Sequence, residues 1–230
     1  MPTPAPLVQE SQPRPTPDSV EQAIRQALSP LSCTKTQWSL NSAGAVSVRG
    51  FSGTPEMLPR IQRALERIEG VSRVDLQIQS APWPQCEAFL TLSNAGVEEG
   101  SVRISMPGRS TRVVKAGEQI AFDIQLPQNP GFVHVHYLQA NGSAVPLALG
   151  TPYTAGQVLK IGQTRERFYI RAPFGDEMLV VVTSPTRLEF ASDGDDRAYL
   201  SALRQGLLNM PEGQRNLVRA ATLPLKTLGP

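Results

Sequence analysis

The sequence predicts an α+β protein of two domains: a small α-β-β-α-β domain, then a β-sandwich-like domain with C-terminal helices. Between residues 18 and 86, apolar residues recur first at helical spacing and then at every second position, which is typical of mixed helices and strands. From Phe89 onward, short alternating runs are separated by turns containing Gly, Pro and Asn, which is typical of a sandwich or barrel. We therefore expect domains at residues 18–86 and 87–230, preceded by a tether at residues 1–17.

Each element of the first domain has its own sequence signal. Helices are predicted where a capping residue precedes a stripe of apolar side chains, and strands where apolar and polar residues alternate. Thr54 is a good N-cap because Pro55 follows it at the first helical position, and Gly70 is placed to end that helix. The expected elements are a helix from Asp18 or Ser19 to Pro30, strands at Thr34–Leu40 and Val46–Phe51, a helix from Thr54 to Gly70, and a strand at Val74–Ile78.

The second domain is predicted to consist mainly of short strands. Residues 179–182 (Leu-Val-Val-Val) are continuously apolar, so we expect a central strand that is covered on both faces. Two helical segments are predicted to close the chain, one at about Arg197–Leu208 and a short turn near Glu212–Ala220. Further strands are expected around Val102/Ile104, Phe122/Ile124/Leu126 and Phe168/Ile170.

The N-terminal 17 residues are rich in proline, which favours a disordered or polyproline-like tether. Such a tether suggests a piece of a longer, membrane-anchored protein. No run of about 18 apolar residues is present, so we expect no transmembrane segment in this chain. The charge of +2 comes from 22 basic and 20 acidic residues, a balance that argues against the clustered basic surface of a nucleic-acid-binding protein.

Cys33 and Cys86 are the only cysteines of the chain. Cys33 opens the first predicted strand, and Cys86 follows the last predicted strand of the same domain. These two ends can lie close together in an α-β-β-α-β sheet, so we expect a disulfide within that domain. The bond would close a loop of about 54 residues, worth about 4 kcal/mol by chain entropy. Two buried, unpaired thiols in a cytosolic protein are the alternative.

His134 and His136 are the only histidines, and their spacing on a predicted strand places both on one face. With a third ligand from elsewhere they could bind Zn²⁺ or Cu²⁺. The alternative is a solvent-facing pair, with Val133, Val135 and Tyr137 turned toward the core. Because there is no third histidine and no cysteine to spare, we expect no metal and no cofactor.

No catalytic motif is found in the chain. It contains no Gly-rich phosphate loop, no Gly-x-Ser-x-Gly and no His-Glu-x-x-His, so we expect a protein that is not an enzyme. Residues 193–196 (Asp-Gly-Asp-Asp) lack the other oxygen ligands of a calcium loop and are interpreted as a loop that caps the following helix.

Residues 18–80 resemble the BON domain, a small bacterial envelope domain with the order α-β-β-α-β. The resemblance depends on Gly44-Ala45-Val46-Ser47-Val48-Arg49-Gly50, the helix after Thr54, and Gly70-Val71-Ser72-Arg73-Val74. It implies contact with phospholipid or with partner proteins but assigns no function to any particular residue.

Residues 85–227 are similar to an uncharacterised β domain found C-terminal to bacterial Ser/Thr kinases and caspase-like peptidases. The similar stretches include residues 115–118, 131–137, 141–142, 155–157 and 172–177. In that family the segment around Pro173, Phe174 and Gly175 leads into the central strand. We expect these three residues and Glu177 to be structural, with Glu177 hydrogen-bonding the turn before the central strand rather than acting in acid–base catalysis.

Three functional hypotheses follow. The first is a non-catalytic binding or sensory module of a bacterial envelope signalling or secretion-associated protein, on the periplasmic side. Its expected partner is a protein of the cell envelope, with a lipid or peptidoglycan as a further ligand and no nucleic acid. The second is a cytosolic accessory domain that positions an attached kinase or peptidase, and the third is a hydrolase or metal enzyme that uses His134 and His136.

Overall fold

The computed structural model describes residues 16–29, 33–163, 167–190 and 194–230. The chain divides into two compact units, residues 1–79 and residues 80–230. Helices and several sheets occur together, which confirms the mixed α+β class. The predicted tether lies outside the described residues apart from Thr16 and Pro17, and these two begin the first helix.

The first unit contains a three-stranded sheet and two helices. Its elements are α1 (Pro17–Leu28), β1 (Thr34–Leu40), β2 (Ala45–Ser52), a 3₁₀ turn (Pro55–Met57), α2 (Leu58–Glu66) and β3 (Arg73–Ser80). The strands follow the order β1-β2-β3, and β1 and β2 are antiparallel. Apolar side chains of α1, β2 and α2 share one core, formed by Val20, Ile24, Leu28, Val46, Val48, Ile61 and Leu65.

Helix α1 begins earlier than the sequence predicted. Thr16 is the N-cap, and its side-chain oxygen accepts a hydrogen bond from the backbone N–H of Ser19 at 3.4 Å. Pro17 occupies the first helical position, where its fixed φ suits a helix and its missing N–H is not needed. The predicted caps, Asp18 and Ser19, therefore lie inside the first turn.

Gly50 allows β1 and β2 to approach closely. Its φ is +144°, and a Cβ atom at this position would lie 2.0 Å from the backbone oxygen of Lys35. Only glycine avoids both the backbone strain and this collision.

The second unit contains most of the strands. Its helices are α3 (Gln85–Asn94), α4 (Asp196–Asn209) and the short α5 (Glu212–Arg215). Its strands are β4 (Glu98–Glu99), β5 (Arg103–Ser105), β6 (Val113–Lys115), β7 (Gln119–Ile120), β8 (Phe122–Gln125), β9 (Gly131–Leu138), β10 (Ser143–Tyr153), β11 (Val158–Ile161), β12 (Phe168–Tyr169), β13 (Asp176–Ser184), β14 (Gly194–Asp195) and β15 (Arg219–Leu228).

These strands form one large sheet and two small ones. The large sheet has the order β14-β10-β9-β13-β15-β4, and β6 also pairs with β15. A second sheet has the order β11-β8-β5, and β12 pairs with β7. Strand β13 lies between β9 and β15 and is antiparallel to both, so the predicted central strand is confirmed.

The two faces of β13 contact different cores. Met178, Val180 and Val182 pack with apolar residues of α3 and α4. Leu179 and Val181 pack with residues of the second sheet, including those of β8. Because both faces are covered, the strand is continuously apolar from Met178 to Val182, which includes the predicted run at residues 179–182.

The structure differs from the prediction at two elements of this unit. Residues 85–94 form α3, which was not predicted, and its buried positions include the polar Gln85 and Thr91 as well as Cys86. An apolar stripe is hard to recognise in such a sequence. The last element is strand β15 rather than a helix, because residues 219–226 pair with residues 176–183 of β13.

No helix in the described part of the chain is both long and apolar enough to cross a bilayer.

Candidate functional site

Both cysteines are disulfide-bonded, and since the chain has no others, each is the partner of the other. The alternative of two unpaired thiols is therefore wrong. Cys33 directly precedes β1, and its φ of 50° is in the left-handed region. Cys86 is buried in α3.

His134 and His136 are both buried, with exposures of 1% and 2%. The predicted alternative of a solvent-facing pair is wrong, because helix α4 covers this face of β9. The two rings each contact Phe190 edge-on at 5.1 Å between centroids, and the ring of His136 stacks on Tyr199 at 4.0 Å. Val133, Val135 and Tyr137 face the other core, as expected.

The surroundings of His134 suit a neutral ring. Backbone N–H groups of Gly150 and Leu188 point at Nδ1 and Nε2, at 3.1 and 3.2 Å. A neutral imidazole accepts one of these hydrogen bonds at a time, and both directions from which a metal would approach are covered by amides. Burial, helped by the charge of Arg187, lowers the pKa of His134 to about 4.

His136 is also held neutral. Burial first, and the neighbouring His134 second, lower its pKa to about 4. Among the residues that the structure describes, no cluster of three or more His, Cys, Asp or Glu side chains is suited to a metal ion. His134 and His136 therefore belong to a packed cluster of rings with Phe190 and Tyr199.

Of the acidic loop before α4, Asp193 lies outside the described residues. Asp195 caps α4 as predicted, because its Oδ1 accepts a hydrogen bond from the backbone N–H of Ala198 at 2.7 Å. Asp196 is buried, and its Oδ2 accepts a hydrogen bond from the indole N–H of Trp83 at 2.9 Å. Both carboxylates are thus engaged within the protein.

The turn before β13 is fixed to the last strand of the chain. Ala172 and Pro173 are joined by a cis peptide bond, and the aromatic ring of Phe174 lies beside Gly229. The backbone N–H of Gly175 donates to Oγ1 of Thr227 at 3.0 Å, and the N–H of Thr227 donates to the carbonyl of Gly175 at 2.8 Å.

Glu177 lies in β13 and is 3% exposed. One of its carboxylate oxygens accepts a hydrogen bond from the hydroxyl of Tyr137, and the other from the backbone N–H of Ala140 at 3.3 Å. Ala140 belongs to the turn between β9 and β10, so the carboxylate binds that turn and not the one before its own strand. Burial raises the pKa of Glu177, and burial together with the adjacent carboxylate raises the pKa of Tyr137.

Tyr137 and Glu177 also line a cavity of about 430 Å³ in the second unit. Most of its wall is apolar or aromatic, and four of its lining residues are exposed: Arg167, Tyr169, Arg171 and Ala172. A mainly apolar pocket of this size with a few convergent polar groups is the usual form of a small-molecule site. The other lining residues are Ile120, Phe122, Gln139, Val145, Leu147, Phe168 and Ile170.

Sequence reasoning identified only part of this pocket. It singled out Glu177, and it placed Tyr137 in the core without the hydrogen bond that its hydroxyl makes. Arg167 and Arg171 were missed, because they reach the cavity through the pairing of β12 with β7, which is almost 50 residues away in sequence. An isolated Arg beside a short strand carries no signal of its own.

Comparisons with known proteins give little further information. No protein-family model and no curated protein matches the chain. Among solved structures, the sulfur carrier protein SoxY from Chlorobium limicola f thiosulfatophilum aligns with 60% of this chain and 91% of its own, at 11% identity and a TM-score of 0.31. Similarity at this level supports no conclusion about fold or function.

Proposed function

We propose that this chain is a non-catalytic binding or sensory module on the extracytoplasmic side of a bacterial membrane, and that the pocket lined by Tyr137 and Glu177 is its ligand site. The observation that carries the proposal is the pocket itself, in which a buried carboxyl group and a tyrosine hydroxyl meet inside apolar walls. The resemblance to BON and kinase-associated domains is part of the same proposal, since such modules act beside an effector.

The chemistry of the pocket favours binding over catalysis. Its described lining residues include no His, Cys, Ser, Thr or Lys, so the reactive groups are the carboxyl group of Glu177 and the hydroxyls of Tyr137 and Tyr169. Glu177 already accepts hydrogen bonds from Tyr137 and Ala140, which fix the orientation of its carboxyl group. A carboxylate held in this way is suited to orienting a ligand.

The disulfide supports the proposed compartment. Disulfides persist in oxidising compartments and are rare where glutathione and thioredoxin keep thiols reduced. The proposal can be tested by alkylating thiols in intact cells before lysis. A disulfide between Cys33 and Cys86 is expected, whereas two alkylated thiols would favour the accessory domain of a cytosolic kinase or peptidase.

Binding can be tested by asking what the pocket retains. The full chain would be incubated with a small-molecule extract of bacterial envelopes, separated by gel filtration and analysed by mass spectrometry. Val145→Trp would fill the pocket, and Val158→Trp, at an exposed strand position, is the matched control. Compounds retained by the wild type and the control but lost from Val145→Trp are expected; equal retention by all three proteins would contradict the proposal.

A further inference from the structure

Glu177 is a buried acid without a basic partner. None of the ion pairs among the described residues includes it, and both of its hydrogen-bond donors are neutral groups. A buried charge without a counter-charge costs several kcal/mol. An ionised carboxylate has about four acceptor positions, of which two are used here, so Glu177 can still accept hydrogen bonds from a ligand.

The walls around this carboxyl group suit a cation. Four aromatic side chains line the cavity: Phe122, Tyr137, Phe168 and Tyr169. The ring centroids of Phe122 and Tyr137 are 6.3 Å apart. Aromatic faces carry partial negative charge and attract ammonium groups, and combining such faces with a carboxylate strengthens this preference. The aliphatic residues of the wall would cover an apolar body attached to the ammonium group.

The two arginines of the lining do not neutralise Glu177. Arg167 and Arg171 are exposed, and the effects that determine the pKa of Glu177 are burial and the hydrogen bonds from Tyr137 and Ala140. Both guanidinium groups therefore remain available to an anionic group at the mouth of the pocket. A ligand that is cationic inside and anionic outside would satisfy both ends.

We propose that the pocket binds an organic ammonium group carried on an apolar body, with the carboxylate of Glu177 as its counter-charge. The inference rests on the proposed function, because it assumes that this pocket is the ligand site. Primary amines donate hydrogen bonds to the free acceptor positions of Glu177, and the apolar body lies against the aromatic and aliphatic wall. The ligand class is thus defined by its positive charge and its apolar body.

Three probes with similar apolar bodies distinguish a cationic, a neutral and an anionic ligand: 2-phenylethylamine, 2-phenylethanol and 3-phenylpropanoate. Affinities for the full chain would be measured by calorimetry or by chemical-shift titration. We expect the amine to bind about tenfold more tightly than the alcohol, because a hydrogen-bonded charge adds this much to affinity. Glu177→Gln should remove that advantage and leave the affinity for the alcohol unchanged, while Asp176→Asn, at the exposed neighbouring position, should change neither.

A second measurement needs no variant. Amine binding to the wild type should weaken as the pH falls through the pKa of Glu177, which burial raises. The other titratable lining residues are Tyr137, Tyr169, Arg167 and Arg171, and the amine itself keeps its charge between pH 5 and about 8. A pH-independent affinity would overturn the proposal.

The outcomes also separate this inference from the proposed function. If the alcohol or the propanoate binds as well as the amine, the pocket is a ligand site but not a cation site, and only the ligand class is wrong. If none of the three probes binds, both the ligand class and the pocket itself are contradicted.

Discussion

Acidification should destabilise the second unit through its two buried histidines. The pKa of each is lowered from 6.5 to about 4, so the unfolded chain takes up protons before the folded one does. The stabilisation from the neutral rings is complete above pH 6.5 and is lost progressively as the pH falls toward 4. A shift of this size corresponds to about 3 kcal/mol for one histidine at pH 4.

His136→Phe isolates part of this effect. Phenylalanine preserves the stacking on Tyr199 and removes the buried Nδ1 of His136, which has no hydrogen-bond partner among the described residues. The free energy of unfolding would be measured by urea denaturation of the full chain at pH 7, 6, 5 and 4, with hydrogen exchange of the β9 and β13 amides as the local measurement. Between pH 7 and pH 4, the difference in unfolding free energy between the variant and the wild type should change by about 3 kcal/mol in favour of the variant.

Carboxylates also titrate in this range, but they are common to both proteins and cancel in the difference. The double variant His134→Gln/His136→Phe supplies a baseline, since the chain has no other histidine. If the difference between wild type and His136→Phe stayed constant within about 0.5 kcal/mol over the whole pH range, histidine burial would not be the cause.

Three further predictions concern stability. Replacing Cys33 and Cys86 together by Ala should cost about 4 kcal/mol of unfolding free energy in urea under non-reducing conditions, and an unchanged midpoint would contradict the loop-closure argument. Gly50→Ala should destabilise the first unit by more than about 2 kcal/mol, because its Cβ would collide with the backbone oxygen of Lys35. The control Gly117→Ala should cost about 1 kcal/mol, because Gly117 has a positive φ but open space around it. Equal shifts in melting temperature for the two variants would refute this. Asp195→Ala should cost about 1 kcal/mol and speed hydrogen exchange in α4, while Asp195→Asn should largely preserve the cap.

Local signals in the sequence were sufficient for elements whose burial follows a simple period. The strands β1, β2 and β3 alternate, and β13 is continuously apolar from Met178 to Val182, so their patterns indicate which faces are covered. Helix α3 has no such period, because Gln85 and Thr91 are buried together with apolar residues. Strand β15 was not predicted, because its first residues were included in the helical turn near Glu212–Ala220. It contains Pro224, a residue depleted in strands, which lies opposite Met178 of β13.

The candidate site was less accessible to sequence reasoning than the fold. Periodicity places His134 and His136 on one face of β9, but it cannot say that α4 covers that face, since the two elements are about 60 residues apart. The pocket has the same limitation, because it joins residues of β7, β8, β9, β10, β12 and β13. Only the turn before β13 and Glu177 could be singled out, and the partner of Glu177 was found in the structure.

The position of Glu177 is the strongest argument that the pocket has a function. It lies in a strand whose following residues are buried from end to end, where an apolar side chain would avoid the cost of removing a carboxylate from water. Tyr137 and Ala140 satisfy its oxygens but supply no positive charge. A requirement for structure alone would be met by a neutral amide such as Gln, whose oxygen can accept from the Ala140 N–H while its NH2 group donates to the Tyr137 hydroxyl oxygen. An acid at this position is explained when a ligand brings the counter-charge, and the cavity beside Glu177 provides the space in which such a ligand would lie.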